Sequence, residues 1–101
     1  MNDNLKAVLQ NAIDTYGKDA QLWMVIEEMS ELAKEICKHE RGRENKDQIA
    51  DEVADVTIML EQVKMMFGIS DEVNRRIVAK VARLKRRLML KDYKKIKQEE
   101  K

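Results

Sequence analysis

Residues 19–40, DAQLWMVIEEMSELAKEICKHE, and 45–67, NKDQIADEVADVTIMLEQVKMMF, are two helix-period segments on either side of the glycine-bearing stretch RGRE. Each carries carboxylates three residues apart: Glu28 and Glu31 in the first, Glu52 and Asp55 in the second. Residues three apart on a helix share a face, with Cβ atoms about 5–6 Å apart. At about 100° per residue from Glu28, the residues Leu22, Val25, Ile26, Met29, Leu32, Ala33, Ile36 and Cys37 fill one arc from roughly 40° to 180°. Glu28, Glu31 and Glu35 lie just off one edge of that arc, with Gln21 and Met24 on the same line. From Glu52, the residues Ile49, Ala50, Val53, Val56, Thr57, Leu60 and Val63 fill the matching arc, and Asp55 takes the place of Glu31. The segments EEMSELAKEI and DEVADVTIML also align with each other, Glu28 with Glu52 and Glu31 with Asp55. The carboxylates are thus expected at the border of the core in both helices, not spread over the solvent side.

The three glycines set the outer limits. Gly17, Gly42 and Gly68 each follow a helix-period segment, where a left-handed residue ends a helix. Start signals come after each: Asp19, then Asn45 with Gln48 three residues on as an N-cap box variant, then Ser70 with Asp71 and Glu72. The expected helices span 4–16, 19–40, 45–67 and 70–90, and short connections make neighbours antiparallel. The fold class is therefore all-α, a small up-and-down four-helix bundle. Residues 1–90 form its single domain, and 91–101 (KDYKKIKQEEK) are a polar basic tail that extends the last helix or frays.

Composition agrees. The 101 residues contain no proline and four aromatics, and 44% are hydrophobic, enough for one core. Cys37 is the one cysteine, which excludes a disulfide scaffold. Uncharged stretches such as 20–26 fall short of the roughly 20 residues a bilayer crossing needs, so no membrane partner is expected. The start MNDNLKAVLQ has no apolar signal core, and a free cysteine fits a reducing cytoplasm. The near-neutral total of 20 Lys+Arg against 19 Asp+Glu hides a segregation. Residues 27–61 hold eleven acids and five bases, net −6; residues 71–101 hold twelve bases and five acids, net +7.

Four carboxylates at a core border repel one another unless a cation sits among them. Hard cations such as Mg²⁺ or Mn²⁺ prefer an all-oxygen set. Lys34 and Lys38 lie beside the acids but towards solvent, so they neutralise only part of that charge. A di-iron carboxylate bundle needs Glu-x-x-His on two helices, and the lone His39 is preceded at that spacing by Ile36, which excludes it. On the last helix Arg76, Lys80, Arg83 and Arg87 share one flank of the arc formed by Val73, Ile77, Val81, Leu84 and Leu88. Arginine offers phosphate a bidentate fork and lysine a point charge. Metal carboxylates with a basic stripe suit phosphoanhydride chemistry.

Glu27-Glu28-Met29-Ser30-Glu31 followed by Glu52-Val53-Ala54-Asp55 resembles the EExxE…ExxD signature of the MazG-like all-α nucleoside triphosphate pyrophosphohydrolases. The likeness runs from about Tyr16 to Leu88 and includes Gly17 with Gln21 and Lys80 with Arg83. It implies Mg²⁺-dependent hydrolysis of the α–β phosphoanhydride of a nucleotide to the monophosphate and pyrophosphate, by homodimers or homotetramers with sites near subunit contacts. By position it makes Glu28, Glu31, Glu52 and Asp55 the metal ligands. Glu27 matches the leading acid, with its role as a support behind the ligands, a base or a partner contact left open. Glu35, on the metal flank, is placed to orient water, and Lys80, Arg83 and Arg87 would bind phosphates. Gln21, in line with the acids, would reach a base, while Trp23 is read as core or subunit packing. The chain is short for that family, which leaves base and sugar open. A phosphoribosyl-ATP pyrophosphohydrolase of the same fold and a non-catalytic nucleotide-binding adaptor are the alternatives. A nucleic-acid binder is disfavoured, because the basic segment lacks interleaved aromatics and a recognition helix–turn pattern.

Overall fold

A computed structural model describes residues 1–100, among which there are four α-helices and no strand. The helices are α1 (Asp3–Tyr16), α2 (Lys18–Glu40), α3 (Lys46–Phe67) and α4 (Ser70–Glu99). Each begins within a residue or so of its expected start, and α4 runs on through the basic tail.

All three glycines have positive φ, but only Gly68 closes its helix in the left-handed region. Gly17 is extended at ψ 152°, and α2 is closed by Arg41 with Gly42 one residue beyond. The start signals mostly do not act as expected. Gly17 (φ 91°) closes α1 by donating to the Ile13 carbonyl, and α2 begins at the next residue. Gly68, in the left-handed region at φ 64°, closes α3 through the Lys64 carbonyl. At the first start, Asn2 Oδ1 accepts from the Leu5 amide at 2.9 Å. Asp19 instead lies inside the first turn of α2, and Ser70 is the first residue of α4 behind Ile69. Asn45 precedes α3 without a side-chain cap bond: its Nδ2 donates to Glu35, and its Oδ1, the atom a cap would use, is buried without a hydrogen-bond partner.

The chain divides into two compact units, Met1–Gly68 and the part from Ile69 onward. In the first, α1, α2 and α3 pack on one another. The α2–α3 pair is antiparallel. Gln21 near the start of α2 bonds Gln62 near the end of α3, and Glu35 near the end of α2 bonds Asn45 just before α3. Lys18 also sits over the Phe67 ring, 4.4 Å from its centroid.

The contact face is narrower than the apolar arcs and rotated towards the acids. Leu9, Val25 and Met59 are the buried hydrophobic residues. Of the α2 arc, Leu22 and Leu32 are half-buried, whereas Ile26, Met29, Ala33, Ile36 and Cys37 are exposed. Of the α3 arc, Ile49, Val56 and Val63 are half-buried, whereas Ala50, Val53, Thr57 and Leu60 are exposed. The physical reason is one of width. Two helices in contact cover a seam, while an arc of more than about 100° needs further neighbours. On α2 that seam follows Gln21, Val25, Glu28, Leu32 and Glu35; on α3 it follows Glu52, Asp55, Met59 and Gln62.

The second unit is one helix, α4, with no buried residue. Ile77, Val81, Leu84 and Leu88 form an exposed apolar stripe along it. Glu72 in its first turn accepts from both Arg75 and Arg76. No described helix is long and apolar enough to cross a membrane.

Candidate metal centre

Because the α2–α3 seam runs through the acids, it brings carboxylates from two helices together. One oxygen each from Glu28, Glu52 and Asp55 lie within 4.8 Å of one another, on half-buried side chains. Carboxylates three apart on one helix meet a partner helix in a single place, so the pairing follows from helix period plus antiparallel packing.

The electrostatics are those of crowded anions. The Glu28 carboxyl is held above its ordinary range, first by partial burial, then by the negative charges of Asp55 and Glu52. Glu52 is raised for the same first reason, then by Asp55, Glu31, Asp51 and Glu35. Glu31 is exposed and outside the triad, but its charge bears on both. Glu52 Oε2 is buried and accepts no hydrogen bond. A buried anionic oxygen without a donor is costly. Three convergent carboxylates with such an orphan oxygen fit a hard divalent cation, which takes oxygen ligands and keeps water at its other positions.

Glu35, two turns beyond Glu28 on α2, is in a different state. Its carboxylate accepts from Asn45 Nδ2 at 2.8 Å and from Lys38 Nζ at 3.0 Å, and these bonds pull its pKa below the ordinary range. Together with Asp47, Gln48, Asp51 and Glu52 it lines an acidic hollow of about 390 Å³. Glu27 points to a separate hollow of about 560 Å³, which it lines with Tyr16, Ala20, Gln21, Trp23 and Met24. Trp23, expected to pack, is 67% exposed in this single chain.

Gln21 is 7% exposed, and its Nε2 donates to Gln62 Oε1 at 2.7 Å. On α4, Lys80, Arg83 and Arg87 are exposed and form no ion pair among the described residues, whereas Arg76 is paired with Glu72. Sequence reasoning passed over two residues of this region. The sequence reads Asn45 as a cap and marks Gln62 with no role, although Gln62 stands seven residues from Asp55 as Gln21 does from Glu28.

No protein-family model, curated protein or solved structure matches this chain.

Proposed function

We propose that this chain is a MazG-like, Mg²⁺-dependent nucleotide pyrophosphohydrolase of the cytoplasm, cleaving a nucleoside triphosphate to the monophosphate and pyrophosphate. The observation that carries the reading is the convergence of Glu28, Glu52 and Asp55 within 4.8 Å across two helices, with one Glu52 oxygen left without a donor. Mg²⁺ or Mn²⁺, when bound, supplies positive charge for phosphoryl oxygens and lowers the pKa of a water. Glu28, Glu52 and Asp55 would hold it, with Glu31 adding charge at the exposed edge.

The remaining acids divide by what they already touch. Glu35 is engaged by Asn45 and Lys38, which makes it a weak base and a good acceptor for orienting water. Glu27, on the hollow it lines with Tyr16 and Trp23, enters as the second candidate for handling the water. Lys80, Arg83 and Arg87 enter as polyphosphate ligands on the chemistry of their side chains alone. The exposed apolar residues Ile26, Met29 and Ile36 on α2, and Ile77, Val81 and Leu84 on α4, support assembly as a homo-oligomer that completes an up-and-down bundle.

The test is a panel of common and modified nucleoside triphosphates, with phosphoribosyl-ATP, assayed for pyrophosphate with and without Mg²⁺. The expected result is Mg²⁺-dependent release from at least one, reduced about 100-fold or more by Glu52→Gln. Metal and nucleotide binding with no product from any substrate would overturn the enzyme reading in favour of a binding module.

A further inference from the structure

Gln21 and Gln62, 7% and 3% exposed, form a buried neutral pair between α2 and α3. Val25 and Met59, one turn away on the two helices, are apolar and buried. An amide pair there adds less to stability than methyl groups of the same volume would, but its bond has direction and the apolar contacts do not.

Position explains what that direction is worth. Glu28 lies seven residues after Gln21 on α2, and Asp55 lies seven residues before Gln62 on α3. In an antiparallel pair the two intervals are the same step, so Gln21–Gln62 and Glu28–Asp55 are successive rungs of one ladder, about 10 Å apart. A further seven residues brings Glu35 and Gln48, which line the acidic hollow together. Glu35 is in turn tied to Asn45. The carboxylate rung is therefore bracketed by a polar tie on each side.

That rung cannot hold itself in place. Three carboxylates within 4.8 Å repel, so without a cation they oppose the register that brings them together. Unbranched Met59 and the neighbouring Val and Leu side chains would repack after a shift of one turn. A single buried polar residue is a known means of fixing helix register at a cost in stability.

We propose that Gln21 and Gln62 are positioning residues: their hydrogen bond locks the register of α2 against α3 that brings Glu28 to Glu52 and Asp55. The consequence for metal binding rests on the cation reading above; the register itself does not.

The experiment uses the full chain carrying Cys37→Ser, with spin labels at His39→Cys and Ala54→Cys, exposed sites on α2 and α3 offset by about ten residues along the pair, so that axial sliding changes their separation directly. Label separation is measured by pulsed dipolar spectroscopy in chelator. Mn²⁺ affinity and thermal midpoint are measured on the unlabelled chain. The parent should show one narrow distance. Gln21→Leu/Gln62→Leu should broaden it or add a second population displaced by about 5 Å, one helical turn. The same variant should keep or raise the thermal midpoint while weakening Mn²⁺ binding about tenfold or more. Gln62→Glu in the parent, whose carboxylate still accepts from Gln21 Nε2, should keep the single distance. Gln62→Met, close in volume, serves as a milder single replacement with the same expected outcome. An unchanged distance with unchanged Mn²⁺ affinity in the double variant overturns the proposal. If the parent binds no Mn²⁺ but the double variant still splits the distance, the cation reading fails and the register assignment stands.

Discussion

The side-chain amide of Asn45 donates to two oxygens of one residue, the backbone carbonyl and the carboxylate of Glu35, each at 2.8 Å. This contact ties the last turns of α2 to the residue before α3 and closes the loop between them. Asn45 is 6% exposed, and it does not cap the helix it precedes. Asn45→Ala should therefore cost about 1–3 kcal/mol, the scale for losing a buried bond to a charged group. A fall in urea midpoint at constant slope checks it; a change below about 0.5 kcal/mol would show the contact to be incidental.

The same contact predicts an acid-side response. Glu35 is held below its unfolded value of 4.5 by the Asn45 and Lys38 bonds. Its contribution is present above that value and is lost as pH falls through the lower, folded one. Thermal midpoints of the parent and Asn45→Ala should draw closer as pH falls below 4.5 and through the lowered folded value, where Glu35 takes up a proton. The bond to the Glu35 backbone carbonyl does not titrate and leaves a residual gap. A gap that stays constant with pH would contradict this.

Glu28 and Glu52 are shifted the other way, so the sign reverses. Their raised values mean a contribution present below 4.5 in the metal-free protein and lost as pH rises through the folded values. At neutral pH in chelator, Glu52→Gln should raise the thermal midpoint by relieving repulsion around a buried oxygen that lacks a donor. Adding Mg²⁺ should raise the midpoint of the parent and leave that of the variant almost unmoved.

Cation affinity should fall with each triad member removed. Glu28→Gln, Glu52→Gln and Asp55→Asn are each expected to weaken Mn²⁺ binding about tenfold or more, the scale of losing even an outer partner of a metal ligand. Glu31→Gln, at the exposed edge, should cost less. Mn²⁺ titration followed by magnetic resonance separates the four; equal effects would place Glu31 in the same coordination set.

Much of this was legible in the chain itself. Helix limits could be read because Gly17 and Gly68 supply positive φ at two helix ends, a property no other residue shares at so little cost. The meeting of Glu28, Glu52 and Asp55 was legible because carboxylate spacing survives small errors in helix rotation. The core was not. Periodicity identifies apolar residues such as Ile36 and Leu60, but not how many neighbours cover them, so an arc was read where three helices bury only a seam. Gln62 escaped notice for a related reason. A glutamine on a charged helix looks like surface until the register sets it opposite Gln21.

Trp23 is the chain's one indole, and it stands largely in water on the rim of a hollow shared with Tyr16 and Glu27. The protein thus carries an optical reporter that needs no label. Any molecule or second chain that covers this rim will shift its emission to the blue, and one that leaves the rim open will not.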